Sequence, residues 1–410
     1  MDYEGFTTKI LHADRLSAPG HGAMHVPIYT STAYGYEDAH DLAAVFQGKI
    51  AGFAYARQGN PTATALEKKI TLMEGGVETV SFATGMAGIG SLCFALLRAG
   101  DHIIVSNFLF GNTYSLFSTL QTQGIEISFV DVTNADNVAA ARRENTRLVF
   151  TETVANPRTQ VADLKRIGDF CSENKILYVV DNSLTTPYLF RPRSVGASLV
   201  VSSLTKSFSG HGNALGGAVT DTGLFDWTGF PHIYDSYKKK EPALWGITQI
   251  KKKGLRDFGA TLTALVAHQI SQGMETLALR MERACSNASL LANFFTEHPR
   301  VNKVHFPGVK THTEYELSKS LFKYPGFIMS IELADDMDCF AFMNKLKIAV
   351  NSTHLGDNRT LAIPVAHTIY YEMGAENRAA MGISDNLIRL SIGIEDPEDL
   401  LADFRAAFQE

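Results

Sequence analysis

Two charged side chains follow apolar segments that have the composition of buried strands. The segment ILYVV ends in Asp181, and the later segment SLVVSS runs into a turn that contains Lys206. In open α/β sheets, ligands bind outside the carboxyl ends of the strands. We therefore expect an acid and a primary amine at the same edge of a sheet, where a ligand would bind.

These residue types suit the chemistry of pyridoxal 5′-phosphate (PLP). That cofactor requires a lysine amine for a Schiff base, an acid that keeps its pyridine nitrogen protonated, and hydroxyl or backbone donors for its phosphate. Lys206, Asp181 and the hydroxyls of Ser203 and Thr205 supply these groups. Plainer readings stay open, because a lone lysine is more often a surface residue and Asp181 could be a turn or cap residue.

A second candidate for phosphate binding is the small-residue segment 83–88, ATGMAG, which contains Gly85 and Met86. It lies between a strand candidate and an apolar helix candidate, and free N–H groups at a helix start attract anions. Small residues at such a place also serve plain helix–strand packing. Upstream, Tyr55 and Arg57 offer a phenol and a guanidinium that suit bidentate phosphate binding, with an ordinary loop ion pair as the alternative.

The segments that must position these residues alternate between strand and helix patterns. Between residues 51 and 255, short apolar runs alternate with helical stretches. This alternation predicts an α/β fold with a mostly parallel sheet covered by helices. The strand candidates are TVSFAT, HIIVSN, EISFVDV, RLVFTET, ILYVVDN and SLVVSS.

The chain is long enough for two domains, because its 410 residues exceed the usual size of a single hydrophobic core. Residues 1–50 lack sustained periodicity and are expected to form an arm that packs on something else, such as another subunit. Residues 51–255 form the predicted large α/β domain, which binds the cofactor. Residues 256–410 are expected to contain a long linking helix at roughly 260–295 and a smaller C-terminal α+β domain with the strands FIMSIEL and NLIRLSIGIE.

The composition argues against several other classes of protein. The formal net charge is −6 and the lysine runs at 238–240 and 251–253 are short, so a nucleic-acid-binding surface is not indicated. The four cysteines are far apart and form no CxxC pair, which favours neither a disulfide framework nor a metal site. No apolar run reaches the ~20 residues that span a bilayer, and the N-terminus has no signal-like apolar core. We therefore expect a cytoplasmic protein with no membrane partner.

Taken together, the motifs resemble the cystathionine/methionine-metabolism family of PLP-dependent enzymes. That family includes cystathionine γ-synthase, cystathionine lyases, methionine γ-lyase and O-acyl-homoserine sulfhydrylases. The resemblance covers nearly the whole chain in the right order, and it implies an aspartate-aminotransferase-like fold, fold type I among PLP enzymes. The motifs are Tyr55-x-Arg57-x-x-Asn60-Pro61-Thr62, Gly85-Met86, Asn156-Pro157, Asp181-Asn182, Ser203-x-Thr205-Lys206-x-x-Ser209-Gly210-His211-Gly212 and Arg389-Leu390-Ser391-Ile392-Gly393.

The resemblance implies a role for each residue of this set. Lys206 would be the Schiff-base lysine and later the base that moves the substrate Cα proton, while Asp181 would pair with the pyridine nitrogen. Asn156 would approach the ring oxygen of the cofactor. Arg389 would clamp the substrate α-carboxylate, although a strand-edge salt bridge is its plainer reading. The residues that would hold the phosphate are Gly85, Met86, Ser203 and Thr205, with Tyr55 and Arg57 from a neighbouring subunit and Tyr55 also near the substrate.

Such a shared site implies at least a homodimer, and the family pattern is a tetramer of two such dimers. The other partner implied is a small amino-acid substrate.

The chain departs from the family pattern at Leu109-Phe110-Gly111-Asn112-Thr113. Family members commonly carry a tyrosine at the position of Phe110, where its ring stacks on the cofactor and its phenol assists proton transfers. Phe110 can still stack, but it has no hydroxyl that could protonate a departing thiolate. The change therefore favours an acyl ester of homoserine over methionine as the substrate, and Tyr114 is the neighbouring phenol that would weaken this inference. Asn112 stands where methionine γ-lyases typically have a cysteine, which also disfavours methionine as the substrate.

A second departure lies in the small domain. Cystathionine-handling members often carry Glu-Ser-Leu-Gly there, with the acid near the distal ammonium of cystathionine, whereas this chain reads Thr353-His354-Leu355-Gly356. No carboxylate is offered at that place, so cystathionine is disfavoured as a substrate or product. His354 is expected either to line the entrance of the site or to be a hydrogen-bonded structural histidine.

The leading hypothesis is PLP-dependent γ-replacement, in which an O-acyl-homoserine is joined to sulfide or a small thiol in methionine and cysteine metabolism. The alternative within the family is a γ-lyase that acts on methionine or cystathionine and releases an α-keto acid, ammonia and a thiol. A remote alternative is a serine acyl hydrolase, since Ser203-x-x-Lys206 also fits an S-x-x-K motif, although its KTG partner is missing. A catalytically silent binding protein that kept the fold is the remaining class.

Overall fold

The structure of the protein is a computed structural model that describes residues 4–17, 19–239 and 241–409. The first three residues of the predicted arm and Lys240, the last residue of the 238–240 lysine run, lie outside the described residues. The described chain folds around two sheets, one of seven strands and one of five. The larger sheet takes its strands from residues 78–221 and the smaller one from residues 301–391.

The strands of the larger sheet are β1 (Glu78–Phe82), β2 (His102–Ser106), β3 (Glu126–Val130), β4 (Thr146–Glu152), β5 (Leu177–Asp181), β6 (Leu199–Ser202) and β7 (Gly217–Asp221). Their order is β1-β7-β6-β5-β4-β2-β3. Strands β2 to β6 pair in parallel, whereas β7 is antiparallel to both β1 and β6. The mostly parallel sheet and its six predicted strands are therefore confirmed. Strand β7 has no counterpart among the predicted strands, because its sequence GAVTD has only two apolar residues between a glycine and polar residues.

Both faces of this sheet are buried, which explains the nearly continuous apolar sequences of its strands. In β5, Leu177 and Val179 pack into the core on one face, whereas Tyr178 and Val180 pack into the core on the other. All four side chains are fully buried, and burial of such a side chain contributes about 1.5–3 kcal/mol relative to exposure. This packing fixes the position of Asp181 at the end of the strand.

Helices cover the larger sheet, and two of them begin with caps that the sequence specifies. Asn60 accepts hydrogen bonds from the first N–H groups of α3 with Pro61 as the first helical residue, and Thr84 caps α4 by accepting from the Ala87 N–H. Within the described residues up to 258, the α-helices are α1 (Phe6–His12), α2 (Ala39–Phe46), α3 (Pro61–Glu74), α4 (Gly85–Leu96), α5 (Gly111–Thr122), α6 (Ala135–Ala140), α7 (Leu164–Glu173), α8 (Thr186–Leu189), α9 (Trp245–Gln249) and α10 (Arg256–Phe258), with a π-helix at Ile250–Leu255.

The smaller sheet consists of β8 (Val301–His305), β9 (Ile328–Leu333), β10 (Val350–Asn351), β11 (Leu361–Pro364) and β12 (Leu387–Ser391), in the order β10-β11-β12-β9-β8. Its pairs are antiparallel except for β10 with β11. The later helices are α11 (Ala264–Met274), α12 (Leu277–Glu297), α13 (Tyr315–Leu321), α14 (Cys339–Lys345), α15 (Ala375–Ala380) and α16 (Pro397–Phe408).

The single long helix predicted at roughly 260–295 is wrong, because two helices, α11 and α12, occupy this stretch. Between them, Thr276 has φ −104° and ψ 10°, outside the helical range. The Arg280 guanidinium donates a hydrogen bond of 2.7 Å to the Gly273 carbonyl and so occupies an acceptor that a continuous helix would use. The apolar periodicity continues across this break, and periodicity alone therefore cannot reveal it.

The stretch from Gly20 to Gly59 lies on the surface, and Val26 is the one buried residue within it. Its exposed large apolar side chains are Met24, Ile28, Tyr29, Leu42, Phe46, Ile50 and Tyr55. Extended apolar surface of this kind is typical of an interaction site. The surface fits the expectation that residues 1–50 pack on another subunit, which stays a prediction. Across the described residues, no helix is both long enough and apolar enough to cross a membrane.

Candidate active site

Asp181 and Lys206 lie at the same edge of the large sheet. Asp181 is the last residue of β5, and Lys206 lies in the turn that follows the neighbouring strand β6. Burial, followed by the positive charge of Arg389, lowers the pKa of Lys206 to about 8, while the charge of Asp181 opposes this shift. Close to 10% of the amine is therefore unprotonated at pH 7, far more than for an ordinary lysine, as a nucleophile or base requires.

The turn that carries Lys206 is held from two sides. Arg280 on α12 donates hydrogen bonds to the carbonyls of Ser207 (2.7 Å) and Phe208 (3.2 Å). On the other side, a Cβ at Gly356 would lie only 2.6 Å from the Ser207 nitrogen, and Gly356 has a φ of +73° that favours glycine. Both contacts come from the C-terminal half of the chain, so that half fixes the lysine turn.

Two serines connect Asp181 to the residues in front of Lys206. The Ser183 N–H donates to Asp181 Oδ1 over 2.8 Å, and the Ser183 hydroxyl oxygen accepts from the Ser203 N–H over 2.7 Å. Burial raises the pKa of Asp181, whereas the hydrogen bonds from Ser183 and the charge of Lys206 lower it. The structure thus places a fixed acid beside an amine of depressed pKa.

The candidate phosphate-binding residues surround the start of α4. Gly85 and Met86 are its first residues, so their N–H groups have no acceptor within the helix. A Cβ at Gly85 would lie 3.0 Å from the Ser203 Cβ, which shows how closely the two segments approach. The Thr205 hydroxyl accepts a 3.0 Å hydrogen bond from the Gly216 N–H, which fixes its position in the same turn. Backbone donors and hydroxyls therefore converge where an anion could bind.

Arg389 is fully buried on β12. Its Nη2 donates to the carbonyls of Thr353 (3.2 Å) and His354 (2.8 Å), while its Nε is buried and has no hydrogen-bond partner among the described residues. The structure does not show the salt bridge of the plainer reading, since no carboxylate of the described chain pairs with this guanidinium. A buried donor without a partner is unfavourable, so a ligand carboxylate is expected to complete the site.

His354 lies beside the two cations of the site. Burial, then the positive charge of Lys206 and to a smaller extent that of Arg389, lowers the pKa of His354, so its imidazole stays neutral at neutral pH. Its Nε2 is buried and has no partner within the described residues. Within the described residues, Nε2 thus shows no hydrogen bond that would favour the structural alternative, and the place of His354 at the entrance of the site stays a prediction.

Asn156 lies where the two halves of the chain meet. Its backbone carbonyl accepts a 2.9 Å hydrogen bond from the hydroxyl of Tyr370, and it precedes a cis peptide bond to Pro157. Its side-chain Oδ1 is buried without a hydrogen-bond partner among the residues that the structure describes. The amide of Asn156 is therefore available to a ligand.

Phe110 is anchored next to the carboxyl end of β5. Its N–H donates to Glu152 Oε1 over 2.9 Å, and Glu152, the last residue of β4, is the register partner of Asp181. The ring of Tyr114 instead packs on Phe129 of the edge strand β3, with 4.5 Å between ring centroids. The structure thus holds the Tyr114 ring on the edge strand β3.

Tyr55 and Arg57 are exposed and lie apart from these groups. The Arg57 guanidinium lies over the Tyr55 ring, 5.6 Å from its centroid, and donates to the Arg256 carbonyl. Within the described residues, no hydrogen bond or ion pair joins either side chain to Lys206. A single chain does not bring them to its own site, and their predicted role in the site of a neighbouring subunit stays a prediction.

Three side chains of this region were not predicted from the sequence: Glu152, Arg280 and Tyr370. Glu152 ends the strand RLVFTE, so the strand-end signal that pointed to Asp181 was also present for it. Arg280 and Tyr370 come from a helix and a loop far along the chain, and no local pattern marks them.

One further cluster of ionisable groups lies away from this site. Side-chain atoms of Asp14, His25 and Glu275 lie within 4.8 Å of one another. The buried ammonium of Lys69 lies 3.1 Å from Asp14 and 3.5 Å from Glu275, so the acids already have a cation. We interpret the cluster as an ion-pair network that holds the N-terminal segment on α3.

The candidate active site fits PLP. Lys206 and Asp181 supply the amine and the acid, and the start of α4 supplies donors beside Ser203. The buried Oδ1 of Asn156 and the buried Nε of Arg389, which have no partners in the described part of the chain, are open to a cofactor and a substrate. These are the residue types that the cofactor chemistry requires.

Comparison with known proteins extends this picture. Residues 7–409 match the model of a family described as Cys/Met metabolism PLP-dependent enzymes. The chain is 36% identical to an L-methionine γ-lyase of Fusobacterium nucleatum subsp. polymorphum, over 99% of this chain and 98% of that protein. It is 35% identical to the O-acetyl-L-homoserine sulfhydrylase of Corynebacterium glutamicum, over 99% of this chain and 97% of that protein.

Solved structures agree with the fold. A crystal structure from Campylobacter jejuni, of a protein provisionally assigned as an O-acetylhomoserine (thiol)-lyase, superposes with a TM-score of 0.91 at 31% identity, covering 99% of this chain and 100% of that one. That structure carries N′-pyridoxyl-lysine-5′-monophosphate. The cystathionine γ-synthase of Xanthomonas oryzae pv. oryzae superposes with a TM-score of 0.88 at 30% identity, covering 99% of this chain and 98% of that one.

Proposed function

The chain belongs to the Cys/Met metabolism family of PLP-dependent enzymes, and from this premise we propose that it catalyses γ-replacement on an O-acyl-homoserine. Sulfide or a small thiol displaces the acyl group, so that with sulfide the products are homocysteine and a carboxylate. The aspartate-aminotransferase-like fold alone specifies no reaction, and this proposal assigns one to it. It also gives Ser203 a role in cofactor binding, in place of the role it would have in an S-x-x-K acyl hydrolase.

We assign the proton transfers to Lys206. Bound PLP supplies an electron-withdrawing ring that stabilises the negative charge left when a proton leaves the substrate. The amine of Lys206, with a pKa of about 8, is in part unprotonated at neutral pH and takes protons from Cα and then Cβ of the substrate. Asp181, held by the Ser183 N–H, would pair with the pyridine nitrogen of bound PLP and keep it protonated.

We assign substrate orientation to Arg389. Its unused Nε is the group that would receive the substrate α-carboxylate, in a charge-assisted hydrogen bond. His354 stays neutral beside it and therefore adds no charge that would compete for that carboxylate. The Thr353-His354 pair offers no acid for a distal ammonium, which supports a substrate smaller than cystathionine.

The observation that carries the choice of reaction is the surroundings of Phe110. An acyl ester loses a carboxylate that is stable without a proton, whereas methionine loses a thiolate that benefits from a general acid. Phe110 has no hydroxyl, and Tyr114 packs on Phe129 at the sheet edge. A site without a phenol at this place suits the ester.

The second candidate is a γ-lyase acting on methionine. It is favoured by the 36% identity to the methionine γ-lyase of Fusobacterium nucleatum. Both reactions begin with the same proton transfers and the loss of the γ-substituent. Replacement then adds a sulfur nucleophile at Cγ, whereas elimination adds a proton there and releases an enamine that water hydrolyses to the α-keto acid and ammonia.

We further propose that the working unit is a homodimer, or a tetramer of two dimers, in the cytoplasm. Tyr55 and Arg57 are exposed and make no contact with the Lys206 turn of their own chain, so a second copy is needed to bring them to a phosphate. The apolar surface of residues 20–59 supports such an interface. The four cysteines are all unpaired thiols, which suits a reducing compartment.

The test is a visible absorbance spectrum of wild-type and Lys206→Ala protein, followed by turnover on the same samples. A cofactor band that disappears in Lys206→Ala would support the assigned lysine. Homocysteine formation from O-acetylhomoserine and sulfide, faster than cleavage of methionine, would support the transferase. Rapid methionine cleavage without homocysteine formation would favour the γ-lyase instead.

A further inference from the structure

A second carboxylic acid, Glu152, stands beside Asp181 at the edge of the large sheet. Strands β4 and β5 are parallel neighbours, and their last residues are register partners. Residues paired in this way project their side chains on the same face of a sheet. The two carboxyl groups therefore lie side by side on the face where Asp181 meets Lys206.

Glu152 is the contact that anchors Phe110. Its Oε1 accepts the Phe110 N–H over 2.9 Å. Phe110 precedes the first turn of α5, so its N–H has no acceptor within the helix. The bond thus ties the backbone from which the aromatic ring projects to the strand next to Asp181.

The surroundings decide which carboxyl of the pair carries the negative charge. Asp181 is stabilised as an anion by the Ser183 N–H and by the nearby charge of Lys206. Glu152 has the Phe110 N–H alone, and burial, with the charge of Asp181 added, raises the pKa of Glu152 to about 8. When two adjacent carboxyl groups have different surroundings, one of them stays ionised and the other stays protonated.

Other charged groups face this pair from the small-sheet side. Tyr370, whose hydroxyl binds the Asn156 carbonyl, interacts electrostatically with both Glu152 and Arg389, and burial keeps its phenol protonated by raising its pKa. His354 is neutral. The cation that acts on Asp181 is therefore Lys206, whereas Arg389 acts on Lys206 and Tyr370 and is expected to be neutralised by the substrate carboxylate.

We propose that Glu152 is a positioning residue: its carboxyl group holds Phe110 at the cofactor site and, from its place beside Asp181, leaves the negative charge of the pair on Asp181, which would pair with the pyridine nitrogen of bound PLP. The proposal rests on the proposed PLP site and adds a residue to it. Its role is exerted through Phe110 and Asp181, without contact to the substrate.

The proposal is tested with protein stripped of cofactor and titrated with PLP from pH 6.5 to 9.5. Glu152→Gln keeps an acceptor oxygen and cannot ionise, whereas Glu152→Leu removes the acceptor. The matched control is Glu126→Gln, an exposed carboxylate on the edge strand β3. The measurements are the dissociation constant of PLP and the visible circular dichroism of the bound cofactor, which reports its orientation without turnover.

We expect Glu152→Gln and the control to bind PLP within about threefold of wild type at pH 7, and Glu152→Leu to bind about tenfold more weakly with altered circular dichroism, since one buried hydrogen bond is lost. In wild type, a spectral change with a midpoint near pH 8 should appear, and Glu152→Gln should lack it. If Glu152→Leu does not fold, the comparison of wild type with Glu152→Gln still decides the charge state.

Two results would overturn the proposal. If Glu152→Gln weakens PLP binding as much as Glu152→Leu does, the ionised carboxylate is needed. If folded Glu152→Leu leaves the circular dichroism of the bound cofactor unchanged, Glu152 does not position Phe110. Wild-type protein that binds PLP but turns over neither substrate would refute the proposed reaction and leave the Glu152 result valid. Wild-type protein that fails to bind PLP would refute both.

Discussion

The depressed pKa of Lys206 predicts how fast cofactor-free protein should take up PLP. Only the unprotonated amine attacks an aldehyde, so the rate follows the fraction of free amine. With a pKa of about 8, close to 10% of the Lys206 amine is free at pH 7. An ordinary lysine, with a pKa of about 10.4, has about 0.04% free amine at that pH. The structure thus predicts an amine about 200-fold more available than that of a surface lysine.

The assay is rapid mixing of cofactor-free protein with PLP between pH 6 and 10, followed by absorbance of the covalent lysine adduct. The rate should rise about tenfold per pH unit below pH 8 and level off above it. The same series with N-acetyl-lysine amide corrects for ionisation of the cofactor itself. Lys206→Ala should give no adduct at this site.

Replacing Arg389 tests the cause of the shift. Its charge is the second contribution to the lowered pKa, after burial, so Arg389→Met should move the midpoint upward. Arg359→Met removes an exposed arginine that pairs with Asp357 and serves as the control. A wild-type midpoint near pH 10, or a midpoint that falls in Arg389→Met, would refute the electrostatic reasoning.

Three further predictions follow from individual contacts. Glu74 is buried, one of its oxygens lacks a partner in the described chain, and burial raises its pKa to about 8. The free energy of unfolding of the wild type should therefore fall as pH rises from about 5 to 8, because the carboxyl group ionises in the unfolded chain before it does in the folded one. Glu74→Gln should remove up to about 4 kcal/mol of this fall, measured by urea unfolding at both pH values; equal pH profiles would contradict it. Arg280→Met should lower the free energy of unfolding by about 3 kcal/mol and slow PLP uptake, because the Ser207 and Phe208 carbonyls lose their donor. Phe110→Tyr should raise kcat/KM for methionine relative to O-acetylhomoserine about tenfold or more by supplying a general acid, and an unchanged ratio would show that the leaving group needs none.

Much of the large sheet could be read from local sequence. Its central strands are buried on both faces, and short apolar runs followed by turn residues, such as ILYVV and SLVVSS, are typical of such strands. Since parallel strands end at one edge, Asp181 and the turn with Lys206 could be placed together before the structure was known. The caps at Asn60 and Thr84 are equally local signals.

Other features could not be predicted from the sequence, because the residues that produce them are far apart in the chain. Strand β7 forms because it pairs with β1 and β6, and it has too few apolar residues to be predicted as a strand from its own sequence. The break between α11 and α12 depends on Arg280, which lies beyond the break and also holds the Lys206 turn. No window of sequence contains both partners of these contacts.

Local sequence is enough to predict the α/β class, the acid and the amine, and the family motifs, because periodicity and strand ends are properties of contiguous residues. The surroundings of these residues depend on contacts between distant parts of the folded chain. The folded chain places Glu152 beside Asp181, leaves Arg389 Nε and Asn156 Oδ1 open to a ligand, and packs Tyr114 on Phe129. The physical reason is that burial and the charges of sequence-distant neighbours set a pKa or an unmet hydrogen bond, and these are settled only when the chain is folded.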